Sequence, residues 1–287
     1  MSKIATPRIE VQGVVVPAFI YGTAWKEEQT SELTRAALGE GFRAIDTANQ
    51  RRHYFEAGVG EAVAAFVHSG KATRSDLFLQ TKFTYVNGQD HRLPYDSAAP
   101  PRLQVVQSFE KSLEHLQTTT IDAYLLHGPS SRRGLSAQDR EVWRAMEQLH
   151  REQRVSLIGI SNVSAEQLSA LLSDCQVTPA FVQNRCYART GWDGDVRRLC
   201  AKHGVVYQGF SLLTANRREM TLPALARIAS NYGRSPAQVV FRFAIQVGMI
   251  PLTGTSDSAH MKDDLGCFDF ELNQRELECV EQLAIDS

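Results

Sequence analysis

Short apolar runs alternate with longer stretches in which apolar residues recur at helical spacing along most of the chain. Eight of the short runs are apolar almost throughout and end in turn-forming or polar residues, a pattern that predicts eight strands. These runs occupy residues 18–23, 43–47, 77–83, 121–127, 155–161, 180–184, 205–210 and 249–254. The stretches between them predict helices over residues 27–39, 56–68, 102–116, 136–152, 164–174, 192–203 and 221–246. The chain is therefore expected to repeat a strand–helix unit.

The predicted strands are expected to form a closed barrel. Continuously apolar strands are buried on both faces, and strand–helix repeats indicate parallel strands joined by right-handed crossovers. Eight units without a break in composition favour a (β/α)8 TIM barrel over an open doubly wound sheet. Residues 8–18 predict an N-terminal β-hairpin that turns at Gln12 and Gly13 and covers the bottom of the barrel. No Ser/Gly-rich linker divides the chain, so residues 1–287 are expected to form a single domain.

Composition argues against several classes of protein. The 287 residues are 43% hydrophobic and carry a net charge of -1, which gives no general attraction to nucleic acid or membranes. The N-terminus lacks the apolar segment of a secretory signal, and no run approaches the ~18 apolar residues of a membrane span. The five cysteines form no CxxC pair, so neither a disulfide framework nor a metal site is expected. These features favour a cytoplasmic protein.

Six consecutive predicted strands, starting with the second, end in polar residues. The residues at these ends are Asp46, Lys82, His127, Ser161 with Asn162, Gln183 with Asn184, and Ser211. Because the carboxyl ends of barrel strands converge on one mouth, where barrel active sites form, we expect these side chains to lie together. The turn-rich segment 87–101 follows the third strand, and it is either a wall of the substrate pocket or an inert insertion.

Asp46, Lys82 and His127, combined with a tyrosine, suit the protonation of an oxygen that is gaining negative charge. Tyrosine has an ordinary pKa of about 10 and is a weak acid at neutral pH. A lysine ammonium beside it is expected to lower that pKa, and a carboxylate would hold the lysine charged and oriented. The histidine would orient the substrate oxygen or share its proton. Acyl transfer is not indicated, because no GxSxG motif and no evident nucleophile–histidine set occurs.

Seven segments resemble the successive motifs of the aldo-keto reductase superfamily. In the family's order they are GFRAIDTANQRRHYFEAGVGEAV (41–63), LFLQTKF (77–83), IDAYLLHGP (121–129), LIGISNVS (157–164), FVQNRCY (181–187), YQGFSLL (207–213) and IPLTGTS (250–256). The resemblance covers about residues 14–285 and implies an (α/β)8 barrel that reduces an aldehyde or ketone with NADPH, with NADH as the alternative. It also implies a catalytic tetrad of Asp46, Tyr54, Lys82 and His127. Substrate contacts are expected from Trp25, Tyr54 and His127, although a tryptophan at position 25 is equally consistent with core packing.

The same resemblance implies where the cofactor binds. Ser161, Asn162 and Gln183 are expected to hydrogen-bond the nicotinamide carboxamide, and Phe210 is expected to stack on the ring. Residues 253–255, with His260 and Lys262, are expected at the 2′-phosphate, helped by the N-terminus of a short helix over residues 258–265. The complete set of expected cofactor residues is Gly22, Thr23, Asp46, Ser161, Asn162, Gln183, Phe210, Ser211, Leu212, Leu213, Thr253, Gly254, Thr255, His260 and Asp264.

The sequence departs from the family pattern in three places. Tyr54 lies eight residues after Asp46, a longer spacing than usual, and the adjacent His53 is an alternative proton donor. Phe210 lacks the hydroxyl that the stacking residue usually carries. Leu252 and His260 stand where NADPH-dependent members commonly carry a lysine and an arginine. An arginine guanidinium binds phosphate through two parallel hydrogen bonds and an imidazole does not, so only a modest preference for NADPH is expected.

Two kinds of function remain open at this point. The first is a reductase of small-molecule carbonyl substrates that acts as a monomer or weak dimer. The second is a nucleotide-binding regulatory or sensor subunit with the same barrel and little turnover. The complete set of four tetrad residues favours the enzyme.

Overall fold

The computed structural model describes residues 6–284 and contains a hairpin followed by a closed barrel of eight parallel strands. The hairpin strands are β1 (Arg8–Val11) and β2 (Val14–Pro17). The barrel strands are β3 (Ile20–Gly22), β4 (Ala44–Asp46), β5 (Phe78–Phe83), β6 (Ile121–Leu126), β7 (Val155–Ser161), β8 (Phe181–Arg185), β9 (Val206–Phe210) and β10 (Met249–Thr253). Each pairs with its neighbour in chain order, and β10 closes the barrel on β3. The predicted TIM barrel with an N-terminal hairpin is confirmed. The terminal residues of the predicted single domain, 1–5 and 285–287, lie outside the described residues.

Helices surround the barrel and connect its strands. They are α1 (Thr30–Glu40), α2 (Glu56–His68), α3 (Pro101–Leu116), α4 (Ala137–Arg151), α5 (Ala165–Asp174), α6 (Gly194–Lys202), α7 (Pro223–Asn231), α8 (Pro236–Gln246), α9 (Ser258–Leu265) and α10 (Gln274–Glu281). Several begin where the sequence supplies a cap: Ser136 and Ser164 each accept a hydrogen bond from the third residue of the following helix. Within residues 6–284, no helix is both long enough and apolar enough to cross a membrane.

The helical sequence predicted over residues 221–246 forms two helices, α7 and α8, with a turn between them. Gly233 adopts a φ of 60°, which a continuing helix does not allow. Ser235 then caps α8, and Pro236 occupies its first turn, where the missing N–H of proline costs nothing. Local turn chemistry therefore overrides the apolar periodicity on either side.

Two apolar clusters hold the barrel together. The larger one lies between the strands and the surrounding helices. The smaller one fills the lower interior of the barrel, where Ile20, Phe78 and Phe181 pack together, and the hairpin adds Val11 and Val16 from below. The hairpin turn places Gln12 and Gly13 at φ 49° and 81°, so the predicted turn position is confirmed. With the bottom closed by apolar side chains, polar residues gather at the opposite mouth.

Candidate active site

The carboxyl ends of the strands surround a cavity of about 800 Å³ at the mouth of the barrel. Apart from Thr23 and Lys262, every cofactor or substrate residue expected from the sequence lines it. These lining residues are Gly22, Trp25, Asp46, Tyr54, His127, Ser161, Asn162, Gln183, Phe210, Ser211, Leu212, Leu213, Thr253, Gly254, Thr255, His260 and Asp264. Thr23 is fully buried and bonds the Asp46 carbonyl through both its amide and its hydroxyl, so its expected cofactor contact is corrected to a structural one.

Asp46 and Lys82 form a buried ion pair just below the cavity. The Lys82 ammonium donates to both carboxylate oxygens of Asp46, at 2.7 and 2.6 Å, and to the Thr47 carbonyl at 2.8 Å. Their side chains are only 4% and 1% exposed. Burial lowers the pKa of Lys82, whereas the charge and hydrogen bonds of Asp46 oppose this shift. The pair therefore holds one positive and one negative charge in fixed positions beside the Tyr54 ring.

Three glutamines inside the barrel support this pair. Gln80 and Gln183 each donate to Asp46 Oδ1, at 2.7 and 3.0 Å, and both also donate to the Gln208 side-chain oxygen. Gln208 in turn donates to Gln80 at 2.9 Å. Sequence analysis missed Gln80 and Gln208, although each interrupts an otherwise apolar strand, in LFLQTKF and VVYQGF. A polar side chain that points into a barrel needs hydrogen-bond partners there, so these two glutamines could have been expected to contact other buried polar groups.

The structure brings Tyr54, rather than His53, to the reacting centre. The Tyr54 ring lies 5.2 Å from the Lys82 ammonium and 5.8 Å from the His127 ring, and it lines the cavity. His53 instead stacks on Trp25 with ring centroids 3.9 Å apart. Trp25 is 69% exposed and lines the cavity, so it is not a core residue. The phenol is therefore the group positioned to transfer a proton.

The expected lowering of the tyrosine pKa is wrong for this state of the protein. Burial, together with the charge of Asp46, raises the pKa of Tyr54 above its ordinary value. The Lys82 ammonium does not reverse this shift, because the Asp46 carboxylate lies against it and opposes the effect of its positive charge on the phenol. Tyr54 consequently remains protonated across the physiological pH range, as an acid requires.

His127 lies beside the phenol as a neutral imidazole. Burial, and then the charges of Lys82 and His53, lowers its pKa to about 3. Its Nδ1 is 2.6 Å from the Thr84 hydroxyl. Its carbonyl accepts the Asn162 side-chain amide at 2.7 Å, which ties the ends of two neighbouring strands together. A neutral imidazole in this position can contact a substrate oxygen but carries no charge.

At the expected nicotinamide end, Asn162 and Ser211 adopt φ values of 55° and 57°. Such left-handed backbone in residues other than glycine is uncommon and accumulates at functional sites. Gln183 is expected to hydrogen-bond the nicotinamide carboxamide, and its Nε2 is already bonded to Asp46 and Gln208. Its Oε1 remains able to accept a hydrogen bond. Phe210 supplies an aromatic face without a hydroxyl.

At the opposite end, Thr253 donates to the Asp264 carboxylate at 2.7 Å. Burial raises the pKa of Asp264 to about 7. His260 lines the cavity with residues 253–255, where a phosphate is expected, but two amides at the N-terminus of α9 are already engaged. Asp257 already accepts the amides of Ala259 and His260 there. Lys262 is exposed and is not among the cavity-lining residues of the described chain.

Lys26 is a cation at the cavity that sequence analysis missed. It is 7% exposed, lines the cavity and donates to the Gly254 carbonyl at 2.6 Å. Burial lowers its pKa to about 8. In residues 6–284 no carboxylate pairs with it, so its charge is available to an anion in the cavity. In the sequence Lys26 stands directly before Glu27 and Glu28, so nothing there marks it as an unpaired cation.

The loop over residues 87–101 does not form a wall of the main cavity. Three of its residues, Arg92, Leu93 and Pro94, line a second cavity of about 340 Å³ on another side of Tyr54. None of residues 87–101, all of which the structure describes, lines the larger cavity. Of the two alternatives left open by the sequence, a wall of the main cavity is therefore not the role of this segment, and three of its residues instead share a second cavity with Tyr54.

A cavity at the mouth of a parallel barrel, with a buried lysine–carboxylate pair beneath a tyrosine and a neutral histidine, defines a class of proton-transferring oxidoreductase sites. The model of the aldo/keto reductase family matches residues 19–285. The chain belongs to this family.

Individual relatives agree with that assignment. The glyoxal reductase of Bacillus subtilis is 30% identical over 277 residues, covering 96% of this chain and 91% of the relative. An aldo/keto reductase from Brucella melitensis superposes with a TM-score of 0.82 at 28% identity, covering 97% of this chain and 98% of the other. A Bombyx mori aldo-keto reductase solved in complex with NADP has a TM-score of 0.81 at 23% identity, covering 98% and 93%. The last likeness concerns the fold.

Proposed function

We propose that this protein reduces small aldehydes or ketones to alcohols, with hydride from NADPH and the proton from Tyr54. The observation that carries the proposal is the placement of the Tyr54 ring between Lys82 and His127 at the edge of a cavity large enough for a dinucleotide. Family membership supports the same reaction class. A relative named glyoxal reductase makes small activated aldehydes the first substrates to test.

The residues around the cavity fit a nicotinamide dinucleotide. Phe210 offers a flat apolar face, and the side-chain oxygens of Asn162 and Gln183 remain free to accept the carboxamide N–H groups. Lys26 supplies a buried positive charge for phosphate along the same cavity. His260 and Thr255 line the far end, where the 2′-phosphate would bind. When bound there, the cofactor supplies the hydride that reduces the carbonyl carbon.

The chain's own groups then act on the carbonyl oxygen. His127 lines the cavity and its Nδ1 is engaged by Thr84, so Nε2 of the neutral ring is the nitrogen left to orient the oxygen beside Tyr54. As negative charge develops on that oxygen, the Tyr54 hydroxyl transfers its proton to it. Lys82, held by Asp46, lies 5.2 Å from the Tyr54 ring, so a positive charge stands beside the phenolate that this transfer leaves behind. Trp25 forms one side of an open substrate end.

A regulatory subunit with little turnover is not favoured. Such a protein needs the nucleotide site but not an aligned proton donor, whereas here the phenol, the imidazole and the ion pair lie together. The relatives named above also include proteins named as reductases.

The test is NADPH consumption with a panel of small aldehydes and ketones, for the wild type, Tyr54→Phe and the matched His53→Gln. We expect Tyr54→Phe to reduce turnover by ~10²–10⁴ while cofactor affinity stays near normal, since only the acid is removed. His53→Gln should retain most of the activity, because His53 packs on Trp25 outside the cavity lining. The opposite pattern would assign the proton to His53.

The domain organisation, the oligomeric state and the cellular compartment of the protein are also proposals. We propose a single domain over residues 1–287 that acts as a monomer or weak dimer in the cytoplasm, without a nucleic-acid partner. The uninterrupted family match over residues 19–285 supports one domain. The cysteines are free and three of the five are buried, which supports a reducing compartment. Light scattering over a range of protein concentrations tests the oligomeric state.

A further inference from the structure

Thr84 and His127 occupy matching positions at the ends of two neighbouring strands. β5 and β6 pair in parallel with Phe83 opposite Leu126, so the next residue of each strand, Thr84 or His127, emerges at the same level. The His127 amide donates to the Phe83 carbonyl at 2.9 Å and fixes this register. As a result the Thr84 hydroxyl lies 2.6 Å from His127 Nδ1.

The loop after β5 fixes Thr84 in turn. Its carbonyl accepts the Tyr95 hydroxyl at 2.7 Å and the Gln89 side-chain amide at 3.3 Å. A Cβ added at Gly88 would lie 2.8 Å from Thr84 Cγ2, so glycine at this position leaves just enough room for the methyl group. The turn-rich segment that lines no part of the substrate cavity thus holds the hydroxyl in place.

The direction of this hydrogen bond follows from counting donors. Thr84 is 5% exposed, and within residues 6–284 its hydroxyl makes no other hydrogen bond. If Nδ1 carried the hydrogen and donated it, the buried hydroxyl hydrogen would have no acceptor, which is costly. If the hydroxyl donates to a bare Nδ1, both atoms are satisfied and the imidazole hydrogen is on Nε2.

We infer that Thr84 is a positioning residue for the reduction: its hydroxyl donates to His127 Nδ1 and fixes the imidazole with its hydrogen on Nε2, facing the cavity. This inference rests on the proposed carbonyl reduction, in which Nε2 donates to the substrate oxygen. The other tautomer would present a lone pair to that oxygen and repel it.

The protonation state of His127 does not by itself make Nε2 a donor. The titratable groups near the imidazole are Lys82 from β5 together with His53 and Tyr54 from the loop before α2. Asn162, directly after β7, donates an uncharged amide to the His127 carbonyl. Burial and the Lys82 charge lower the pKa of His127 to about 3, so the ring is neutral between pH 5 and 8. Which nitrogen carries the single hydrogen therefore decides whether His127 donates.

The tautomer can be measured directly by long-range ¹H–¹⁵N NMR of the histidine rings, with the His127 signals assigned by their loss in His127→Gln. We expect an unprotonated Nδ1 and a protonated Nε2 in the wild type at pH 7. Thr84→Val, which keeps the branched shape, should shift the ring toward a mixture of tautomers, and Thr84→Ser should retain the wild-type form. A protonated Nδ1 in the wild type, or an unchanged tautomer in Thr84→Val, would overturn the inference.

Turnover provides the second readout. Loss of one preorganised donor costs ~10²–10³ in turnover, and because Thr84→Val leaves part of the protein in the donating form we expect a loss of about tenfold. The KM for NADPH should be unchanged, and Thr84→Ser should restore turnover. Thr34→Val is the matched control, since Thr34 is a buried threonine of α1 whose hydroxyl has no partner. Equal losses in Thr84→Val and Thr84→Ser would assign Thr84 a packing role instead.

These measurements separate the two proposals. A wild type that reduces none of the carbonyls would overturn the proposed function, whereas the NMR result would still decide the tautomer. Should Thr84→Val fold poorly, Thr84→Ala is a second hydroxyl-free variant, and the wild-type tautomer alone can refute the inference.

Discussion

Replacement of Lys82 by methionine should destabilise the fold as well as stop the reaction. The side chains of Lys82 and Asp46 are 1% and 4% exposed and lie 2.6 Å apart. Methionine fills similar space without charge, so Asp46 would keep a buried carboxylate with only the amides of Gln80 and Gln183 as side-chain donors. Removing one partner of such a pair costs ~3–5 kcal/mol, because the other charge is left without compensation.

The assay is urea unfolding at pH 8 and pH 5, followed by circular dichroism. A stranded carboxylate makes the folded protein bind a proton more tightly than the unfolded chain, so the stability of Lys82→Met should fall as the pH rises. Its deficit relative to the wild type should therefore be largest at pH 8 and smaller at pH 5. The double variant Asp46→Asn, Lys82→Met strands no charge and should recover most of the loss.

Two results would refute this reasoning. One is a Lys82→Met protein within about 1 kcal/mol of the wild type at pH 8, well below the loss expected for a stranded charge. The other is a double variant no more stable than Lys82→Met, which would attribute the loss to packing. Turnover should be abolished in both variants, so stability and not activity distinguishes the explanations.

Three further predictions concern the same cavity. Burial raises the pKa of Asp264 to about 7, far above its value in an unfolded chain, so this group makes the protein less stable as the pH rises from about 4 to 7. Asp264→Asn still offers an acceptor to Thr253. Its free energy of unfolding, followed by thermal unfolding, should exceed that of the wild type by ~2–4 kcal/mol at pH 8 and by little at pH 4. A gain in stability that does not change with pH would contradict this reasoning. His260→Ala should lower the ratio of NADPH to NADH affinity measured by fluorescence titration, and an unchanged ratio would remove His260 from the cofactor site. Gln208→Leu leaves the Gln80 side-chain oxygen unpaired and should lower the free energy of unfolding by ~1–3 kcal/mol. Turnover should fall as well, and full activity would show that Gln80, Gln183 and Gln208 do not position Asp46.

The fold was predictable because the evidence for it is local. The helix expected over residues 56–68 is α2 (Glu56–His68), and the expected strand over 155–161 is β7 (Val155–Ser161). Burial imposes the spacing of apolar residues along each element, so the pattern is visible in one dimension. The division of residues 221–246 into two helices was missed although Gly233 and Pro236 mark it, because the apolar period continues on both sides.

The positions of the candidate site residues were also predictable, because parallel barrel strands bring their carboxyl ends to one mouth. The partners of these residues were not. Gln80 and Gln208 are 128 residues apart and meet only when the barrel closes. Nothing in the sequence of residues 87–101 indicated that Tyr95 would donate a hydrogen bond to the Thr84 carbonyl. The sequence likewise did not indicate that Asp257 would accept the amides of Ala259 and His260 at the start of α9.

The strand–helix repeat, the barrel and the location of the reacting groups follow from the sequence, since each depends on short-range patterns of burial and on strand direction. The folded chain was needed to show that Tyr54 rather than His53 reaches Lys82, and that Lys82 donates to Asp46 and Thr47. Hydrogen-bond partners and pKa values depend on which distant side chains share a buried space. That choice is made by packing and strand register, which no local pattern records.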